Sequence, residues 1–239
     1  MYSSGGNLSN YLLYAIVPLL LCFWAQYKVQ AAFKKYSAVS TRTGVTGAEA
    51  ARKMLDEHGL QNVDIQKVSG MLTDYYDPTK RILKLSEGVY DSPTIAAVSV
   101  ACHESGHAYQ HAEGYKPLVL RTAIVPMVNI GSQLGPIIFF IGLVLMGFSR
   151  MGYDVAVIGL VIFGLTTLFS IVTLPVEFNA SERAKAWLGS SGIISQDEGE
   201  GVSKVLWAAA MTYVAAAIQS IATLLYYASF LGGGRRRDD

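Results

Sequence analysis

The sequence has few charged residues, and this scarcity excludes several classes of protein. Charged residues make up 15% of the 239 residues, and the formal net charge is +1. A nucleic-acid-binding domain needs a basic surface, whereas here the lysines and arginines are scattered, apart from a triplet at 235–237 that two aspartates follow. We therefore expect no nucleic-acid partner.

Cysteine is also scarce. Cys22 lies in an apolar run and Cys102 lies beside a histidine, and this arrangement does not suggest the disulfide framework of a small secreted domain. On a helix Cys102 would point away from the face that carries the neighbouring histidine. We expect it to be a small buried residue rather than a metal ligand.

Hydrophobic residues are what the chain has in excess. They make up 51% of the sequence, and the mean hydropathy is +0.33, which is typical of a membrane protein. Long apolar runs that suit bilayer crossing occur at 11–27, 118–148, 155–174 and 202–231. We therefore predict a mainly α, polytopic membrane protein with about four transmembrane helices embedded in a lipid bilayer.

The prolines and charges refine these runs. Basic residues follow the first run rather than precede it, which is the reverse of a signal peptide and predicts an uncleaved anchor. Pro126 and Pro136 interrupt the second run, which predicts one kinked helix or a helix with an interfacial lead-in. The third run is predicted to end at Pro175.

The segment from Tyr36 to Lys116 is polar and is predicted to be a small α+β domain. A helix is expected between a cap at Thr46 and a stop at Gly59, followed by a strand at 63–68. The segment 71–86 then predicts a hairpin that turns at Asp77 and the proline after it. Such a hairpin could offer a strand edge to an extended peptide, although a structural hairpin is the simpler interpretation.

The most informative motif is HESGH at 103–107. On a helix, His103 and His107 lie on one face about 6 Å apart along the axis, so both imidazoles can reach one zinc ion. Glu104 is turned about 100° from His103, where it can contact a metal-bound water as general base. The spacing is that of a zinc hydrolase.

The residues around the motif predict that it lies within a helix. Ser92 is a candidate N-cap, Pro93 suits the first helical position, and Gly114 is a stop.

Two histidines leave a zinc site incomplete, because hydrolytic sites hold three protein ligands and an open position for water. His111 lies about 12 Å from His103 along a continuous helix, too far to bind the same ion. Glu177 is the better candidate, because two predicted spans return it to the membrane face of the histidines. The alternative for Glu177 is a glutamate at a helix N-terminus, favoured by the helix dipole.

At this point the sequence resembles a known family. TGAEAARKMLDEHGL, DYYDPTKRILKLSEGVY, VACHESGHAYQHAEGYKPLVLR and LPVEFNASERA are similar to segments of the YugP-type neutral zinc metallopeptidases, membrane proteins of bacteria, and more distantly to the HtpX-type and CAAX prenyl proteases. The resemblance implies a gluzincin with one Zn²⁺ held by His103, His107 and Glu177, and with Glu104 as the catalytic residue. The more distant relatives carry Asp where this chain has Ser181, four residues after the ligand glutamate.

The resulting hypothesis is a membrane-embedded endopeptidase that hydrolyses peptide bonds with a metal-activated water. Its partners would be a peptide or protein substrate, including a membrane protein, and the bilayer. Tyr213, His111 and Asn179 are weak candidates for the oxyanion donor, each more readily explained as structural. The alternative function is a non-catalytic, zinc-stabilised scaffold or assembly factor, which would have a closed four-ligand site.

The predicted organisation has five parts. They are an N-terminal transmembrane anchor at 1–35, a cytosolic metallopeptidase domain at 36–116, a transmembrane hairpin at 117–176, a cytosolic helical segment with the third ligand at 177–202, and a fourth transmembrane helix with the C-terminal tail at 203–239.

Charge predicts the orientation in the cytoplasmic membrane. With the domain at 36–116 in the cytosol, most lysines and arginines lie inside, as the positive-inside rule requires. The triplet at 235–237 is discordant, unless the fourth helix re-enters instead of spanning.

Overall fold

The computed structural model of the chain describes residues 12–232 and shows a mainly helical protein with one small sheet. The N-terminal helix α1, Val17–Tyr36, continues a π-helical turn at Leu12–Ile16. The elements that follow are α2 Gly47–Glu57, β1 Asp64–Val68, β2 Tyr75–Asp77, β3 Ile82–Ser86, α3 Glu87–Tyr90, α4 Ile95–Ala112, α5 Lys116–Leu145, α6 Met151–Ser190 and α7 Gly199–Gly232.

Four helices are long and apolar enough to cross a membrane, by length and composition. They are Leu12–Tyr36, Lys116–Leu145, Met151–Ser190 and Gly199–Gly232. The predicted fold class, a mainly α polytopic protein with about four spans and a small α+β part, is therefore confirmed. Tyr11 and the basic triplet at 235–237 lie outside the described residues.

The third span was predicted to end at Pro175, but the helix that carries it does not end there. Helix α6 passes through Pro175 and continues to Ser190. Proline lacks only its own N–H donor, and a long helix with many other hydrogen bonds can accommodate that loss. The charged segment after the apolar run is therefore the second half of one helix of 40 residues.

The chain divides into two compact units. The helical unit comprises the described residues up to Trp24, Leu120–Thr173, and the described residues from Tyr213 onward. The α+β unit comprises Ala25–Val119 and Leu174–Thr212.

The helical unit is held by close helix packing. Phe139 of α5 is fully buried and stacks on Tyr227 of α7, with ring centroids 4.8 Å apart. Thr167 of α6 and Ser220 of α7 are buried, and their hydroxyls hydrogen bond at 2.9 Å. Such contacts suit helices in lipid, where packing and interhelical hydrogen bonds replace the hydrophobic effect.

The α+β unit contains a three-stranded sheet in the order β1-β3-β2. Strands β1 and β3 are parallel, whereas β2 and β3 are antiparallel. The predicted hairpin is present as β2 and β3, and the chain turns at 78–81 directly after Asp77. The predicted helix is α2, which Thr46 caps in a capping box with Glu49.

Helix α4 lies between two hydrophobic clusters of the α+β unit. Ala101 and Ala108 pack with Leu83 and Leu85 of β3, while Cys102 packs in a second cluster that includes Leu188 of α6. Small residues on α4 therefore let both the sheet and α6 approach the helix that carries the motif.

Candidate metal centre

Helix α4, which carries the HESGH motif, has a well-defined start and end. Thr94 is the N-cap, and its hydroxyl accepts a hydrogen bond from the backbone N–H of Ala97. The sequence-based assignment of the cap to Ser92 is therefore wrong by two residues, because a threonine closer to the helix satisfies the free N–H. Gly114 has φ +64°, the left-handed conformation that ends a helix, as expected.

The structure brings together His103, His107 and Glu177. Their ligand-type atoms all lie within 4.8 Å of one another. Nε2 of His103 lies 3.2 Å from Oε2 of Glu177, and Nε2 of His107 lies 3.5 Å from the same oxygen. Ligand atoms about 2.1 Å from a tetrahedral zinc ion are about 3.4 Å apart, so these residues fit zinc in both donor chemistry and spacing.

Burial sets this cluster apart from surface charges. Glu177 exposes 2% of its side chain, and the two histidines expose 10% and 12%. A carboxylate buried this deeply needs a positive partner. Glu177 lies inside α6, which begins at Met151, so the alternative of a glutamate at a helix N-terminus is wrong.

Gln110 fixes the tautomer of His107. The amide Nε2 of Gln110 donates to the carbonyl of Val176 at 2.8 Å and to Oδ1 of Asn179 at 2.9 Å. Because a carbonyl only accepts, the Gln110 Oε1 must be the atom that faces His107 Nδ1 at 3.0 Å. His107 therefore carries its proton on Nδ1, and its Nε2 lone pair is free to bind a metal.

A further set of contacts fixes Gln110 in turn. Arg183 Nε donates to Oδ1 of Asn179 at 2.7 Å, which fixes the orientation of that amide. The guanidinium also pairs with Glu113 at 2.8 Å and lies 4.3 Å from the ring centre of Tyr109. Residues of α4 and α6 thus hold each other in place through one connected network that ends at His107.

Ser181 orients the other histidine. Its hydroxyl lies 3.1 Å from Nδ1 of His103. When Nδ1 carries the proton and donates to this hydroxyl, Nε2 of His103 faces Glu177 as a ligand atom. Ser181 thus stands where the resemblance places an aspartate in the more distant relatives, and it makes a hydrogen bond without adding a charge.

Glu104 lies beside the cluster without being part of it. Burial of the carboxyl raises the pKa of Glu104 above the ordinary value of a glutamate, and the imidazoles of His107 and His103 only partly oppose this rise. Asp74 and Glu177 add negative charge nearby and raise the pKa further. A carboxyl with a raised pKa suits proton transfer near neutral pH.

A close approach of two helices brings Glu177 to the motif. A Cβ atom on Gly106 would lie 2.8 Å from the backbone oxygen of Ala180. The glycine within HESGH therefore lets α6 run directly against α4, and Glu177 lies on α6 three residues before Ala180.

Cys102, His111 and Asn179 are not members of the cluster. Cys102 is fully buried in a hydrophobic cluster, as expected. His111 is exposed, and its Nδ1 is 3.0 Å from the hydroxyl of Tyr76. Oδ1 of Asn179 accepts hydrogen bonds from Gln110 and Arg183, so this side chain has a structural role.

Sequence reasoning missed Gln110 and Arg183. Gln110 is three residues after His107, one helical turn away on a neighbouring face, and this spacing is the only signal that could have identified it. No pattern in the sequence identified Arg183. Its contact with Asn179 depends on both residues lying in one continuous helix, which the sequence did not predict.

Comparisons with known proteins agree with this geometry. A family model described as "Putative neutral zinc metallopeptidase" matches residues 11–232. The chain is also 49% identical over 220 residues to the "Putative membrane protease YugP" of Bacillus subtilis (strain 168), a match that covers 92% of this chain and 96% of that protein. No solved structure matches the chain. The resemblance inferred from the sequence is therefore confirmed.

Proposed function

The chain belongs to the putative neutral zinc metallopeptidase family, and from this premise we propose that it is a membrane-embedded, zinc-dependent endopeptidase. The observation that carries the proposal is the convergence of two imidazole nitrogens on one buried carboxylate oxygen, at 3.2 and 3.5 Å. His103, His107 and Glu177 would hold the ion. Among residues 12–232, this cluster offers three ligands, which leaves room for a water.

Zinc bound there would supply a Lewis acid that makes a water molecule acidic enough to lose a proton near neutral pH. Glu104, next to His103 on α4, would accept that proton and later deliver it to the leaving amine of the cleaved peptide. Gln110 and Ser181 would keep the two imidazoles oriented. The raised pKa of Glu104 favours its acceptance of the proton from the water.

We further propose that the protein resides in the cytoplasmic (inner) membrane as a multi-pass protein with its site facing the cytosol. Four helices that can cross a bilayer support the membrane location, and the similar protein from Bacillus subtilis is described as a membrane protease. The positive-inside rule supports the cytosolic side. The substrates would be peptides or proteins, including membrane proteins.

The substitution Glu104→Gln tests the catalytic role. We expect this variant to keep one zinc per chain, because the ligands remain, and to lose peptide cleavage by about 10²-fold or more, because an amide cannot accept the proton. Zinc would be measured by mass spectrometry, and cleavage with a fluorogenic peptide library in detergent.

Glu87→Gln is the matched control. Glu87 is an exposed glutamate at the start of α3, and its substitution should change neither zinc content nor cleavage. Full cleavage by a zinc-loaded Glu104→Gln protein would contradict the mechanism. Zinc binding with no cleavage by the wild-type protein of any peptide in the library would favour a zinc-stabilised scaffold instead.

A further inference from the structure

A second polar site lies on helix α4, one turn beyond the metal centre. A pocket of about 260 Å³ is formed where α4 meets the β2–β3 hairpin and the loop before β1. Its polar residues are Asn62, Tyr76, Arg81 and His111, and its apolar residues are Leu60, Val63, Ala108 and Ala112. None of these side chains is acidic.

Arg81 brings a positive charge to this pocket. Among the described residues, its guanidinium forms no ion pair with a carboxylate, whereas Arg52 and Arg183 pair with acids 2.7 and 2.8 Å away. The pocket on the other side of the unit, along α2 and β1, is lined by several carboxylates. The pocket at Arg81 thus differs from the pocket along α2 and β1, because its lining carries a positive charge and no carboxylate.

The backbone at Arg81 adds an independent observation. Arg81 has φ +54°, in the left-handed region, at the last position of the hairpin turn. Glycine is the favoured residue there, and a residue with a Cβ is destabilised by steric repulsion. An arginine in this place keeps a side chain in the pocket at a cost to the stability of the turn.

Tyr76 and His111 offer one further hydrogen-bond donor to the pocket, whichever of the two donates to the other. Their hydroxyl and Nδ1 atoms are 3.0 Å apart. If Tyr76 donates to Nδ1, the neutral imidazole of His111 carries a free N–H on Nε2; if His111 donates, the Tyr76 O–H is free. With the Arg81 guanidinium and the Asn62 amide, the pocket is rich in donors and suits an anion.

The position of the pocket relates it to the metal centre. His111 follows His107 by one helical turn, about 6 Å along the axis of α4. An extended peptide advances about 3.3 Å per residue, so a side chain about two residues from the cleaved bond could reach the pocket.

We propose that this pocket binds a carboxylate of the substrate, so that the enzyme prefers peptides with an acidic group about two residues from the cleaved bond. This proposal rests on the proposed peptidase function, because the position of the acidic group is defined relative to the cleaved bond. The binding of a carboxylate is measured separately from cleavage.

The experiment uses the full-length, zinc-loaded Glu104→Gln protein in detergent, which binds peptides without cutting them. Heptapeptides carrying an uncharged fluorophore would differ only in Glu or Gln at one position, each with a free or an amidated C-terminus. We expect the glutamyl peptide to bind about 10-fold tighter than the glutaminyl peptide, as for a charge-assisted hydrogen bond. Comparison of free and amidated peptides shows whether a side chain or a terminal carboxylate is bound.

Arg81→Gln should remove this preference, while Lys80→Gln, on the neighbouring turn residue, should retain it. Arg81→Gly should also remove the preference but raise the unfolding temperature, because it relieves the left-handed backbone. A purely structural role for Arg81 would instead lower the unfolding temperature in both variants. Zinc content should stay at one per chain throughout.

Equal affinity for the glutamyl and glutaminyl peptides, or equal loss of preference in Lys80→Gln, would overturn the proposal. A preference that Arg81→Gln leaves intact would overturn it as well. If Arg81→Gln weakened binding to phosphatidylglycerol micelles and not to the glutamyl peptide, the pocket would belong to lipid headgroups, which also overturns it. Arg81-dependent peptide binding without cleavage by the wild-type protein would support the pocket and contradict the peptidase.

Discussion

At the scale of single residues, the centre depends on which nitrogen of each histidine carries a proton. Gln110 contacts His107 Nδ1 at 3.0 Å while its own amide nitrogen is fixed by Val176 and Asn179. A ligand imidazole held this way has its Nε2 lone pair already directed at the metal. Gln110 is thus expected to contribute to zinc affinity without touching zinc.

Gln110→Ala should weaken zinc binding by about 10- to 100-fold, because His107 loses the acceptor that fixes its tautomer and ring orientation. The measurement is the zinc Kd from competition with a chelator of known affinity. Gln66→Ala is the control, since Gln66 is exposed on β1 and its side-chain amide donates to Asp64 on the same strand. A zinc Kd unchanged in Gln110→Ala would show that the hydrogen bond does not orient the ligand.

At this scale the sequence predicted the three residues that the structure brings together as a candidate metal site, and it missed the contacts that hold them. His103, His107 and Glu104 are recognisable because their spacing on one helix is local, and Glu177 followed from counting predicted spans. Gln110, Asn179 and Arg183 act across two helices, and no local pattern marks such contacts. Their roles follow only from distances between α4 and α6.

At the scale of secondary structure, the contact between α4 and α6 brings Glu177, the proposed third ligand, to the two histidines. Gly106 is the closest point, since a Cβ there would meet the Ala180 backbone at 2.8 Å. The sequence predicted both helical segments but ended the apolar one at Pro175. It therefore did not show that Glu177 lies within a single helix, with apolar residues before it and the Ser181 and Arg183 contacts after it.

Gly106→Ala should destabilise the fold by about 1–3 kcal/mol, because the added methyl forces two backbones apart, and should weaken zinc binding as Glu177 moves away. Gly189 lies on α6 with open space around it. Gly189→Ala should leave zinc binding unchanged and raise the free energy of unfolding by up to about 1 kcal/mol. Thermal unfolding and zinc titration of both variants provide the test. Wild-type stability and zinc affinity in Gly106→Ala would mean that the close approach is not required.

At the scale of the whole molecule, the chain is a membrane protein of the putative neutral zinc metallopeptidase family, with four long apolar helices and an α+β unit. The fold class was predictable from the sequence because hydropathy along a helix is a one-dimensional signal. The segment at 177–202 was predicted on the same membrane face as the domain at 36–116, and it lies within Leu174–Thr212 of the α+β unit. The hydropathy pattern gave no sign that this unit extends into the fourth apolar run as far as Thr212.

The proposed orientation predicts opposite accessibility for two positions. In a protein carrying Cys22→Ser and Cys102→Ala, Gln66→Cys should react with a membrane-impermeant maleimide only after cells are permeabilised. Met151→Cys, at the start of α6, should react in intact cells. Reaction of Gln66→Cys in intact cells would place the α+β unit outside and contradict the proposed cytosolic site.

The coordination of zinc in the purified full-length protein tests the central claim most directly, and X-ray absorption at the zinc K edge measures it. We expect one zinc per chain with two imidazole nitrogens and oxygen ligands at about 2.0–2.1 Å, and with one oxygen lost from the protein ligands in Glu177→Ala. A shell containing sulfur, a shell unchanged by Glu177→Ala, or protein without zinc would contradict the assignment of His103, His107 and Glu177 as the zinc ligands.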